Sequence, residues 1–165
     1  MLIVKIKIIG TIIGVMQFIM MLFIIINVYK GSFRSVSIII LTYIVFQAAV
    51  YNRLSRKNPK SLIQKIIIIN LISIVLSFAL LPNYTYAEAK QIAENKYKNE
   101  LDYFVEFESY YNNTIPIKSD NIKEIFMTRR FYYFSFVKNS GEKKYIMINP
   151  LEGEIVELYD SYWEE

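Results

Sequence analysis

The sequence predicts a membrane α-helical region of three transmembrane helices, followed by a small C-terminal α+β domain in which one helix packs on an antiparallel sheet. Three observations lead there. The first is hydropathy. Of the 165 residues 54% are hydrophobic, too many for an ordinary water-soluble domain, and they concentrate in three runs before Pro82. The second is charge. Residues 1–82 carry nine Lys or Arg and no Asp or Glu, a net charge of +9, whereas residues 83–165 hold all fifteen acids and ten cations, a net charge of −5. The formal total of +4 describes neither half. The third is the change of pattern after Pro82, where a helix-start signal gives way to aromatic and β-branched stretches separated by turn residues.

The run Ile8–Val28 is 21 residues with Thr11, Gln17 and Asn27 as its polar interruptions. At about 1.5 Å per residue it spans the roughly 30 Å hydrocarbon core. A secretory signal peptide would have a shorter apolar region and a small-x-small cleavage site, neither of which is found here. The second run, Val36–Tyr51, keeps Tyr43 and Tyr51 compatible with an interfacial position. The third, Ile66–Leu81, follows Lys65, whose stem can snorkel, and stops at Pro82. Helices are thus expected over about 8–28, 36–51 and 64–82. Cytoplasmic loops are enriched in Lys and Arg. The segment 52–65 holds Arg53, Arg56, Lys57, Lys60 and Lys65, against Lys30 and Arg34 between the first two helices. This bias puts the N-terminus in the cytoplasm and residues 83–165 outside the cell membrane.

Thr85-Tyr86-Ala87-Glu88 has the form of a capping box, and a helix is expected from about Tyr86 to about Glu100, with Ala89, Ile92, Ala93 and Tyr97 as its packing stripe. Tyr103–Tyr111 and Phe131–Val137 favour strands by composition, and Lys138–Glu142 supplies a hairpin turn. Lys143–Asn149 is the returning arm, residues 149–153 form a second turn, and Glu154–Tyr159 is a last strand. The polar stretch 112–124, which contains Pro116, carries no clear signal.

Composition also excludes chemistry. The sequence pI near 9.1 would ordinarily raise nucleic-acid binding, but the cations flank apolar runs and do not gather on a polar face, so no nucleic-acid partner is expected. Cys and His are both absent, which removes thiolate and imidazole ligands, the cysteine nucleophile and the commonest general base. No acid lies in the membrane half, so intramembrane aspartyl proteolysis and carboxylate-driven proton coupling lack their working groups. Glu106 with Glu108, or Glu152 with Glu154, could be read as paired carboxylates; acids two apart on a solvated strand are the commoner explanation. No enzyme activity, cofactor or metal is expected.

The stretch Tyr86–Ala93, together with Tyr132–Val137, Lys144–Pro150 and Glu152-Gly153-Glu154-Ile155-Val156, resembles the PepSY domain, a family of bacterial envelope proteins and of some metalloprotease propeptides. The resemblance covers about residues 84–160, with Asn149 where the family usually has Asp and Ile155 where it has Val. It implies a helix-plus-sheet fold outside the cytoplasm and a role in inhibiting, chaperoning or regulating peptidases, with no catalytic residues. The Ile-, Lys-, Asn- and Tyr-rich usage agrees with an AT-rich bacterial genome, in which the sequons at Asn83 and Asn112 would go unused.

Two sets of residues are candidates for contact with partners. Gly10 and Gly14, and likewise Ser73 and Ser77, put small residues on one helix face, where a second helix can approach closely; packing within this chain would use them equally well. Arg129, Arg130, Tyr132, Phe134 and Phe136 would form a partner-binding surface if one face of their strand were free, and a strand end with snorkelling cations if not. Two functions follow as expectations. One is a non-enzymatic, membrane-anchored extracytoplasmic protein that binds or regulates another envelope protein, such as a peptidase. The other is a small accessory subunit of a membrane transporter or sensor complex, docked through Gly10 and Gly14.

Overall fold

A computed structural model describes residues 2–32, 62–79, 81–107, 109–117 and 130–163. Contacts divide the chain into two compact units, one of Met1–Phe23 with Ser35–Leu81, the other of Ile24–Arg34 with Pro82–Glu165.

The first unit contains most of α1 (Leu2–Asn27) and all of α2 (Leu62–Ala79). Both helices are apolar on every side. Ile9, Met16, Ile19 and Phe23 of α1 are more than half exposed, as are Ile67, Leu71, Val75 and Leu76 of α2. An amphipathic helix of a water-soluble domain would hide such a stripe and turn charges outward; these helices present hydrocarbon to their surroundings, as a lipid solvent favours. Asn70, the amide in α2, satisfies its donor on the Ile66 carbonyl of its own helix at 2.8 Å.

Three membrane-spanning helices were expected. Among the described residues one stretch, Ile8–Asn27 of α1, is long and apolar enough to cross a bilayer. The expected span 36–51 lies outside the described residues. The expected span 64–82 corresponds to α2, which stops at Ala79 and whose apolar stretch, Ile63–Leu76, is shorter than the twenty or so residues of a full crossing.

The second unit is a five-stranded antiparallel sheet with one helix on it. Helix α3 (Tyr86–Lys96) starts at the expected capping box: Glu88 N–H donates to Thr85 Oγ1 at 3.2 Å, and the Thr85 N–H donates back to the Glu88 carboxylate at 2.7 Å. It ends at Lys96, one turn earlier than the sequence suggested, because Glu100 and Leu101 both donate to the Tyr97 carbonyl and turn the chain into β1 (Leu101–Val105). Residues 110–113 form a 3-10 turn, where Tyr110 and Tyr111 were expected to end a strand. A short strand absent from the sequence reading follows, β2 (Thr114–Pro116). Pro116 can end it because a sheet edge does not require every N–H.

Strands β3 (Arg130–Lys138), β4 (Lys143–Ile148) and β5 (Ile155–Leu158) fall within a residue of their expected places. The sheet order is β1-β3-β4-β5, with β2 also pairing β3. Register places β2 beside Arg130–Tyr132 and β1 beside Ser135–Lys138 on the same edge of β3. The central strand β3 is therefore paired along its whole length.

One face of the sheet is the core. Ala89 and Ala93 of α3, both fully buried, let the helix lie close over Tyr132, Phe134, Phe136, Ile146 and Ile148. Tyr86 meets Tyr132 edge-on at 5.5 Å and Phe134 at 4.9 Å, and Tyr97 packs on Phe136 at 5.1 Å. Small residues on the helix and large ones on the sheet interlock at native packing density.

Two turns need left-handed backbone, and they differ in what surrounds them. Gly141 (φ +84) has open space around it, whereas a Cβ on Gly153 (φ +71) would lie 3.1 Å from the Tyr84 ring. Gly141→Ala should therefore cost about 1 kcal/mol, the backbone strain alone, and Gly153→Ala about 2–3 kcal/mol. Thermal unfolding of the full chain in micelles, followed by the fluorescence of Trp163, measures both.

Candidate functional site

The second unit does not begin at Pro82. The last turn of α1 and the segment 28–32 belong to it. After Asn27 the backbone turns through two left-handed residues, Lys30 (φ 45) and Gly31 (φ 71), and Tyr29 and Ser32 are buried. The Tyr86 N–H, a free donor in the first turn of α3, donates to the Val28 carbonyl at 3.1 Å. The Tyr29 hydroxyl donates to the Pro82 carbonyl at 3.3 Å.

Residues 82–86 are in turn fixed to the sheet. Tyr84 N–H donates to the Pro150 carbonyl, Asn83 Nδ2 to the Leu151 carbonyl, and the Tyr132 hydroxyl to the Tyr84 carbonyl, all between 2.7 and 3.0 Å. This junction was not foreseen. Its one sequence sign is the Tyr29-Lys30-Gly31-Ser32 run, in which a tyrosine and a helix-ending glycine follow the apolar stretch.

The structure relocates the expected partner-binding residues. Tyr132, Phe134 and Phe136 are 0%, 3% and 0% exposed; they are the core under α3 and present no surface. Their alternation put them on the face that the helix needed, and a helix carrying two alanines could approach closely enough to cover it. Arg130 donates from Nε to Thr114 Oγ1 at 2.7 Å and from Nη2 to the Thr114 carbonyl at 2.6 Å, fastening β2 to β3. Arg129 lies outside the described residues.

On the opposite face of the sheet Phe131, Tyr133 and Ser135 of β3 are also buried. Phe107 stacks on Tyr133 at 5.2 Å, and the chain after β5 folds back so that Ser161 Oγ is 3.1 Å from the Tyr133 hydroxyl and Tyr162 N–H donates to it. Tyr133 and Ser135 are consequently buried. Beyond them Tyr145, Met147, Val156 and Leu158 are half-buried, and Tyr103 and Tyr162 are exposed. The chain thus leaves an aromatic and aliphatic surface beside β5.

At the other end of α3, three side chains bind helix to sheet. Tyr97 donates to Glu157 Oε1 at 2.6 Å, Lys144 Nζ lies 2.9 Å from the same oxygen, and the ammonium stands 4.6 Å over the Tyr97 ring. The Tyr97 hydrogen bond, foremost, and Lys144 hold the Glu157 carboxyl below its usual range. Burial pushes the Tyr97 phenol up, and its bond to Glu157 adds to the shift.

Gly10 and Gly14 are both buried. Ser73 and Ser77 lie in α2 at the expected spacing, with side chains outside the described set. Glu106, Glu152 and Glu154 are exposed, and Glu108 lies outside the described residues. Among the described residues no group of three or more His, Cys, Asp or Glu could hold a metal ion.

Four phenols, Tyr29, Tyr86, Tyr97 and Tyr132, are raised chiefly by burial, Tyr86 to about 12 with the Glu106 charge adding. A group with a raised folded pKa contributes stability that is complete below its ordinary value, about 10 here, and is lost as pH climbs through the folded one. The domain should therefore lose stability from about pH 10 upward, and these phenols should ionise only with unfolding. Phenolate absorbance measured alongside circular dichroism tests this; a smooth titration of every tyrosine near its ordinary value in the folded protein would contradict it. Compared with family models, with characterised proteins and with solved structures, the chain matches none.

Proposed function

We propose that this chain is a non-enzymatic, membrane-anchored protein that presents its C-terminal domain outside the cell membrane to bind or regulate another envelope protein. The observation that carries the reading is the bond between Tyr86 N–H and the Val28 carbonyl, which builds the segment leaving α1 into the domain itself. Backbone bonds and buried tyrosines thus join the segment 28–32 to the domain. Such an anchor presents a recognition surface rather than letting it diffuse.

The same bond accommodates three spans. Residues 28–32 and 82–86 share one compact unit and so lie on one side of any bilayer that α1 crosses. The chain between them crosses an even number of times. Zero crossings satisfy this as well as two; in the two-crossing case, which the sequence favours, α2, despite its short apolar stretch, and the apolar run 36–51 would supply them. The five cations of 52–65 then face the cytoplasm, as do Lys5 and Lys7. The resemblance to PepSY domains favours a peptidase as the regulated partner. Docking as an accessory subunit through Gly10 and Gly14 is the second reading; no contact among the described residues speaks for it.

The chain contains no Cys, so single cysteines report topology directly. In intact cells a membrane-impermeant thiol reagent should label Gly141→Cys and Lys30→Cys alike, and should label Ser61→Cys only after the membrane is breached. Protection at both Gly141→Cys and Lys30→Cys would place the domain in the cytoplasm and end the envelope reading. Labelling that differed between those two would break the junction and with it the three-span count.

A further inference from the structure

We infer that the outer edge of β5 is a docking site for an extended, cationic polypeptide segment, which adds to the sheet as a further antiparallel or parallel strand. The inference rests on the envelope-binding reading and names the surface and the partner's chemistry.

The backbone supplies the first argument. Asn149 N–H donates to the Glu154 carbonyl at 2.9 Å, so this pair is a hydrogen-bonded one in the β4–β5 ladder. Hydrogen-bonded pairs alternate with non-bonded ones in an antiparallel ladder. Val156 opposite Met147 and Leu158 opposite Tyr145 therefore bond inward to β4, while Ile155 and Glu157 direct N–H and C=O away from it. Among the described residues no strand pairs with that side, since β5 is the last in the sheet order. The opposite edge is occupied differently, with β1 and β2 sharing the side of β3.

Charge decides the occupant. Exposed Glu152 and Glu154 stand at the start of β5, Glu157 within it is half exposed, and exposed Asp160 follows its end. Lys144 lies 2.9 Å from Glu157 Oε1 and neutralises part of its charge. A second copy pairing through the same edge in either direction would bring these carboxylates together, and like charges oppose such pairing. An anionic lipid surface is repelled for the same reason. A strand carrying Lys or Arg meets both the open backbone groups and the acids. Its alternate side chains would extend the half-buried surface of Val156, Leu158, Tyr145 and Met147.

The full chain in zwitterionic nanodiscs, with empty nanodiscs as control, can be titrated into a fluorescent alternating Lys-Val octapeptide and into its Glu-Val counterpart. The Lys-Val peptide should bind and the Glu-Val peptide should not. Affinity should fall roughly tenfold when Glu152→Lys and Glu154→Lys are combined, and fall again with added salt. Ile155→Pro removes an outward N–H at a strand start that tolerates proline, and should weaken binding at unchanged melting temperature. N-methylation of alternate amides in the peptide tests the same bonds with the protein unaltered. Binding of neither peptide, equal binding of both, or Lys-Val binding indifferent to N-methylation would overturn the inference. So would self-association abolished by Ile155→Pro, which would assign the edge to a second copy. Thiol labelling reads the topology independently, so failure here leaves the membrane-anchored reading standing or falling on its own result.

Discussion

Tyr86 is the residue on which the C-terminal domain converges. Its N–H donates to the Val28 carbonyl, its ring packs on Tyr132 and Phe134, and its hydroxyl donates to Asn113 Oδ1 at 3.0 Å. One residue thus joins the segment after α1, the start of α3, the central strand and the turn before β2. A helix N-terminus has backbone donors that must be met, and here one is met by the chain leaving another helix. The consequence is that a residue pair separated by most of the membrane half becomes a fixed contact.

The sheet is built around the same requirement of coverage on both faces. β3 carries large rings in succession, so burying one set necessarily turns the other outward. Helix α3 covers Tyr132, Phe134 and Phe136. Phe107 and the returning segment 161–162 cover Tyr133. What those short segments leave uncovered runs toward β5, where the sheet also has open backbone groups and a row of carboxylates. The surface left open is therefore what remains after the central strand has been buried.

Much of the domain was legible in local sequence. The capping box at Thr85 and Glu88, the Gly141 turn and the alternation of Ile146 and Ile148 all rest on neighbours a few residues apart. Strand β2 was not legible, because Thr114 and Ile115 are buried by pairing with β3 rather than by any pattern of their own. The candidate surface was misplaced for a related reason. Composition marks aromatic residues as exposed or buried only through what packs against them, and Tyr132, Phe134 and Phe136 differ from a recognition patch solely by the presence of α3.

By itself the sequence determined the apolar character of α1, the segregation of charge, the positions of α3, β3, β4 and β5, and the absence of the side chains that most enzymes need. These follow from composition and short-range periodicity, which a single stretch of chain carries within itself. Only the tertiary structure decided that Val28–Ser32 belongs to the C-terminal domain, that Gly10 and Gly14 are buried, and that β5 is the edge among the described residues. Each of these depends on groups far apart in sequence coming together, and backbone N–H and C=O groups look alike at every position until folding pairs some and leaves others open.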